Sequence, residues 1–263
     1  MNLSSTPSSN ELPNMDEIWQ ETIDWCPNEQ QRSQLQLLYI SVITANQRLN
    51  LTRITEPAEF WEKHLWDSLR GVGSLITSSS ALQVIDIGTG AGFPGLPLAI
   101  ARPDWQLTLV DSTAKKIGFI ESVAPEISLT NIQSLVSRIE DLGQQKEHRH
   151  QYDLALVRAV AAANICAEYA LPLVKVGGTV ILYRGNWTEE EAASLEIAVA
   201  KLGGDISKID RFSTPISDSV RHCIWLDKVA DTHPYYPRGI GIPTLKPLQQ
   251  NEAGGHEAPP LHN

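Results

Sequence analysis

The chain is short of cysteine, short of positive charge and without a long apolar run. The three cysteines, Cys26, Cys166 and Cys223, are far apart and odd in number. They fit neither a disulfide framework nor a zinc-ligand spacing, so a reduced, cytoplasmic protein with no metal site is expected. No stretch is long enough to cross a membrane, so no membrane partner is expected. Met1 to Pro7 carry neither a basic n-region nor an apolar core, and no secretory signal is visible. The Asn-x-Ser/Thr triplets at Asn2, Asn50 and Asn186 then read as chance matches. Twenty-one Lys and Arg against 31 Asp and Glu give a net charge of −10. That balance argues against tight, sequence-blind nucleic-acid binding, which needs clustered cations to displace counterions. It leaves room for a local basic face that meets one structured RNA.

What is present is a globular pattern. With 263 residues, 42% hydrophobic and 20% charged, the chain can build one large domain and a smaller helical piece. It is organised around Val84-Ile85-Asp86-Ile87-Gly88-Thr89-Gly90-Ala91-Gly92-Phe93-Pro94-Gly95. The apolar, β-branched start reads as a buried strand. Three glycines at alternate positions follow, then a helix from Leu96 to Ala101, with Pro94 and Pro97 tolerable only near its first turn. Strand, glycine turn and helix start make a cofactor cradle, because glycine lets a ligand approach bare backbone and the helix start offers unpaired N–H groups. The dinucleotide fingerprint G-x-G-x-x-G does not fit, since the third glycine comes one residue early at Gly92. The phosphate loop G-x-x-x-x-G-K-[ST] is absent as well. An acidic residue, Asp86, two places before G-x-G-x-G resembles the first motif of class I S-adenosylmethionine-dependent methyltransferases.

Residues 1–14 are Ser-, Pro- and Asn-rich and read as a disordered tail. Residues 15–70 form a helical region. Apolar positions recur at three and four, which predicts two helices broken at Pro27-Asn28, and a third over Pro57–Leu69. Its Trp residues are read as core. A Gly- and Ser-rich connection at 71–80 marks the boundary with the main domain, 76–229. There strands are expected at 83–87, 107–110, 132–136, 154–157, 179–183, 206–212 and 222–227, with helices at 114–123, 163–171 and 189–202. This alternation implies a parallel, doubly wound sheet, and the last two strands look like an antiparallel hairpin. Residues 230–263 form a basic-aromatic segment and a flexible tail.

Ligands of such sheets sit at the carboxyl ends of the strands. Gly88, Gly90, Gly92 and Phe93 follow the first strand. Asp111, with Ser112 and Thr113, follows the second, at the spacing where a carboxylate reaches a ribose; it could equally start the next helix. Ser137-Arg138-Ile139-Glu140 follows the third strand, where an adenine needs an apolar wall and an acceptor; on its own it would read as a solvated turn. Arg158 follows the fourth, placed to meet a carboxylate or phosphate, or simply to make an exposed ion pair.

At this point the sequence resembles the bacterial 16S rRNA guanine-N7 methyltransferases, the RsmG or GidB family. The matching words are Asp86 to Ala99, Asp111-Ser112 with Lys115-Lys116 and Phe119, and Arg158-Ala159-Val160. Asn50-Leu51-Thr52, His64-x-x-Asp67-Ser68-Leu69, Arg221-His222, Tyr236 to Pro243 and Lys246-Pro247-Leu248 also match. One departure is Tyr183-Arg184-Gly185, where the family often has Leu-Lys-Gly.

The resemblance implies a class I, Rossmann-like methyltransferase fold. It implies S-adenosylmethionine as methyl donor and guanine N7 of 16S rRNA in the small ribosomal subunit as acceptor. Its cofactor residues would be Gly88, Phe93, Asp111, Ser112, Thr113, Ile139, Glu140 and Arg158, with Arg158 also the catalytic candidate. A monomer is expected. So is an RNA-facing patch of Arg158, Arg184, Arg238 and Lys246, and His64 with Asp67 on one helical face as a brace or a structural pair. Guanine N7 has a free lone pair, so no general base and no covalent nucleophile is expected. Two other readings stand beside this one: a methyltransferase of small molecules with the N-terminal helices as a lid, and a silent binding module.

Overall fold

The computed structural model describes residues 10–249. Of the tail expected at 1–14, residues 1–9 lie outside the described residues, as does the tail beyond 249. Residues 10–14 are fastened: Leu12 N donates to Gln36 Oε1 at 2.8 Å, and Gln36 Nε2 donates to the Asn10 carbonyl at 2.9 Å.

The chain divides into two compact units, one of residues 1–136 with 213–219 and one of 137–212 with 220–263. The first unit opens with α1 (Asp16–Ile23) and α2 (Glu29–Leu49). The break between them is set by chemistry local to Asn28. Its side chain accepts from Gln31 N while Gln31 Oε1 accepts from Asn28 N, a reciprocal cap that starts α2. The helix expected at 57–69 is present but not uniform. It runs as α3 (Pro57–Phe60), a π-helical stretch Trp61–Trp66, and α4 (Asp67–Gly71). Phe60, Trp61, Leu65 and Trp66 are buried, in keeping with the core reading of the tryptophans.

Three parallel strands follow: β1 (Gln83–Ile87), β2 (Gln106–Asp111) and β3 (Ile132–Val136), with β2 in the middle. Helices α5 (Gly95–Ala101) and α6 (Ala114–Glu126) connect them, and α2 packs on both. The core of this unit is Val84, Ile85, Ile87, Leu96, Leu107 and Leu109 with the aromatic residues of the helices.

The second unit holds α7 (Ile139–Leu142), β4 (Tyr152–Arg158), α8 (Ala163–Ala170), β5 (Val174–Arg184), α9 (Glu189–Lys201), β6 (Gly204–Ser213), β7 (Val220–Lys228) and α10 (Ile242–Leu245). Its strand order is β4-β5-β7-β6; β4 and β5 run parallel, and β5 meets β7 antiparallel, with Thr179 opposite Asp227 and Arg184 opposite His222. The seven strands and the closing hairpin are those expected of the class I fold. Strand β5 begins earlier than the sequence suggests, at Val174. Val176, Gly177 and Gly178 lie within it.

The tip of the final hairpin, Ser213–Ser219, belongs to the first unit. Glu62, buried in the π-helical stretch, accepts from Ile216 N at 2.6 Å, Ser217 N at 2.8 Å and Ser217 Oγ at 2.6 Å. Burial alone would raise the Glu62 pKa; the donors from Ser217 and Ile216 outweigh it and hold it below the ordinary carboxyl value. No helix of the described residues is long and apolar enough to cross a membrane.

Candidate functional site

In the first unit, β1 runs into a loop that only glycine can make. Gly88, Gly90 and Gly92 have φ of 68°, 61° and 93°. These are left-handed values that carry a steric cost for other residues. Packing adds a second demand. A Cβ on Gly92 would lie 2.3 Å from Leu96 Cδ1, and one on Gly95 would lie 2.1 Å from Leu109 Cδ2. The loop is clasped by Asp86, whose Oδ2 accepts from Thr89 Oγ1 at 2.6 Å and from Gly95 N at 2.9 Å. Gly95 N is the first amide of α5, so the buried carboxylate faces the positive end of that helix.

The loop is tied to the end of β2. Thr89 N donates to the Val110 carbonyl at 3.0 Å, and Gly90 N donates to Asp111 Oδ2 at 3.1 Å. Asp111 Oδ1 accepts from Thr113 N at 2.8 Å, and Lys116 Nζ reaches Oδ2 at 3.3 Å. Asp111 does not cap the next helix: the N-cap of α6 is Thr113, and the Asp111–Thr113 bond closes an Asx-type turn ahead of it. Ser112 and Thr113 are exposed beside it. The structure thus brings Gly88, Phe93 and Asp111–Thr113 together around one loop.

Phe93 is buried, and its ring stacks on His64 with centroids 4.5 Å apart and planes at 13°. His64 Nε2 lies 2.8 Å from Thr52 Oγ1, and Thr52 N donates to Asn46 Oδ1 at 2.9 Å. The His64 motif and the Asn50-Leu51-Thr52 word thereby meet at the glycine loop. His64 therefore touches the glycine loop, the contact that the brace reading requires. A π-helical turn, often seen where a side chain is re-aimed at a functional site, carries it there.

In the second unit, Ile139 and Glu140 open α7, and both are buried rather than solvated. Glu140 Oε1 accepts from Arg138 Nη2 at 2.8 Å, Gly241 N at 3.1 Å and Tyr169 Oη at 3.4 Å. Glu140 Oε2 is buried with no hydrogen-bond partner among the described residues. Burial would raise the Glu140 pKa, but the Arg138 guanidinium and backbone N–H groups outweigh it and keep the carboxyl below its ordinary value. A charged acceptor with an unused buried oxygen is costly to keep without a donor. Arg158 is the last residue of β4 and half-buried.

The expected basic patch is corrected at two places. Arg238 is buried, and its N, Nε and Nη2 donate to Glu168 at 2.9, 2.9 and 2.7 Å. It is the counter-ion of an internal carboxylate. Arg184 is half-buried, donates to the Ala161 carbonyl at 2.8 Å and pairs with Glu191. Lys246 is exposed. Burial pushes the Cys166 thiol up to about 11, which suits a packed side chain and not a nucleophile.

The sequence pattern of a known family, described as GidB, rRNA small subunit methyltransferase G, matches residues 31–222. The chain belongs to this family. A ribosomal RNA small subunit methyltransferase G from Trichormus variabilis is 58% identical over 244 residues, covering 91% of this chain and 100% of that one. One of the same description from a Synechococcus strain is 51% identical over 258 residues, covering 95% and 99%. The solved structure of M. jannaschii TYW2 in complex with AdoMet superposes with a TM-score of 0.50 at 13% identity, over 63% of this chain and 76% of that one. That likeness shows the fold, which is the class I methyltransferase fold.

As a GidB-family methyltransferase the chain uses S-adenosylmethionine. In the second unit, the Glu140 oxygen left without a donor fits a ligand group that donates a hydrogen bond. In the first, Gly88 and Gly90 put half-buried, left-handed backbone without a Cβ in the loop that Asp111 binds. Tyr169, Gly241 and Thr244 were not singled out in the sequence as neighbours of Glu140; the Tyr236–Pro243 word was the signal that could have found Gly241.

Proposed function

We propose that the chain methylates N7 of a guanine in the 16S rRNA of the small ribosomal subunit. The observation that carries this is the family match, which spans both the glycine loop and Arg158. S-adenosylmethionine, when bound, supplies a methyl group made electrophilic by its sulfonium. The residues that would hold it are Gly88, Phe93, Asp111, Ser112, Thr113, Ile139, Glu140 and Arg158.

Asp111 already accepts three hydrogen bonds, and a carboxylate has about four acceptor positions. Gripping both hydroxyls of a ribose would therefore release Lys116, its one side-chain partner among the described residues. Glu140 Oε2 takes the donor of the base or sugar that reaches it. Arg158 orients the anionic end of the donor or an RNA phosphate. No residue has to remove a proton, because N7 attacks with a lone pair in the plane of the base. Catalysis then comes from alignment, which supplies about 7–11 kcal/mol in favourable systems. It also comes from charges placed for a positive centre that moves onto the purine.

The test is transfer of labelled methyl from S-adenosylmethionine to small subunits, naked 16S rRNA and a pool of small metabolites. Label that maps to guanine N7 is expected. Label on an exocyclic amine, a ribose or only on metabolites overturns the assignment.

A further inference from the structure

Helices α2 and α6 of the first unit enclose a groove of about 870 Å³ that the cofactor residues do not line. Arg48 stands on its α2 wall and Lys115 on its α6 wall, both exposed. Among the described residues neither has an ion pair. In a chain of net charge −10, two unneutralised cations facing one groove need a reason.

Local stability does not provide one. Lys115 is the second residue of α6, and a cation there opposes the helix dipole. Gly118 lies in the middle of the same helix and lines the same groove. A Cβ on Gly118 would meet nothing within 4 Å, and its backbone is not left-handed. Alanine would fit and would favour the helix. The glycine leaves its part of the groove lining without a side chain. Hydroxyls of Ser41, Thr44 and Ser122 line it, and Glu126, 3.3 Å from Ser41 Oγ, is its one acidic member.

We propose that the α2–α6 groove docks the sugar–phosphate backbone of the RNA substrate. Arg48 and Lys115 meet its phosphates, the Thr44 hydroxyl donates to a phosphate oxygen, and Gly118 gives the backbone room. Lys115 is two residues beyond Thr113, so RNA held here lies along the helix that leads out of the Asp111 turn. The proposal rests on RNA being the substrate and adds where this unit holds it.

The experiment uses the full chain, small ribosomal subunits and labelled S-adenosylmethionine. The variants are Arg48→Glu with Lys115→Glu, Gly118→Gln, and Lys201→Glu in α9 as a charge control. The double reversal is expected to raise KM for the subunit about tenfold, and to flatten the salt dependence by roughly 0.7–0.9 per lost contact. Gly118→Gln, which fills the groove without changing charge, is expected to raise KM by about fivefold, with donor affinity by calorimetry within about twofold for every variant. Lys201→Glu leaves KM unchanged. An unmoved KM in either groove variant, or an equal rise in Lys201→Glu, overturns the groove. Absent transfer by the unaltered chain overturns the substrate assignment as well, and so the two failures are told apart.

Discussion

The loop after β1 and the segment after β7 are each fastened by a buried carboxylate, and the two differ in what neutralises it. Asp86 in the first unit is met by a hydroxyl and by the leading amide of α5. Glu168 in the second is met by the backbone and guanidinium of Arg238. Dipoles and neutral donors meet the Asp86 oxygen that clasps the glycine loop. A buried ion pair fixes its segment through a long side chain, and it is only as good as both partners. The first arrangement is legible locally and the second is not.

Removing one side separates them. Arg238→Met leaves Glu168 buried and uncompensated, and a loss of about 3–5 kcal/mol in urea unfolding is expected. Combining it with Glu168→Leu should restore much of that loss. If the double variant is no better than the single, the pair is not what the single variant breaks. Asp86→Asn keeps the shape and removes the charge. It should lose about 1.5–3 kcal/mol, the worth of hydrogen bonds to a charged acceptor. A change as large as that of Arg238→Met would erase the distinction between the two clasps.

Smaller effects sharpen the first unit's side of the comparison. His64→Leu removes the ring stacked on Phe93. With aromatic pairs worth about 0.5–1.5 kcal/mol, the unfolding free energy should fall by about that much, and donor affinity should fall because Phe93 loses its support. An unchanged donor affinity makes the stack purely structural. The smallest effect is set by pH. Glu62 has its pKa held down in the fold, so its contribution is fully present above the ordinary value of 4.5 and is lost as pH falls through the lower folded value. Below pH 4.5 the wild type should lose stability more steeply than Glu62→Gln, read from unfolding midpoints.

The contrast also shows what could be read from the sequence. Gly88, Gly90 and Gly92 announce their loop because their demand, a left-handed backbone, is local to each residue. Strand periodicity and the Pro27-Asn28 cap are local in the same sense. Arg238 was misread as a surface charge because its partner Glu168 is 70 residues away. The Ser137–Glu140 stretch would pass for a solvated turn, because Gly241, which helps to bury and bond Glu140, lies 101 residues further on. The π-helical turn is silent in sequence, since it shifts the register of His64 without changing residue types.

Glu62 carries one more consequence. Its three donors come from Ile216 and Ser217, some 154 residues downstream. While the ribosome is still translating the second unit, the nascent N-terminal helices hold an acid with nothing to bind. The first unit can close only after residue 217 has left the exit tunnel. A product truncated before that point would keep every strand of the first unit, yet would expose the seam where the late-arriving turn belongs to chaperones and proteases.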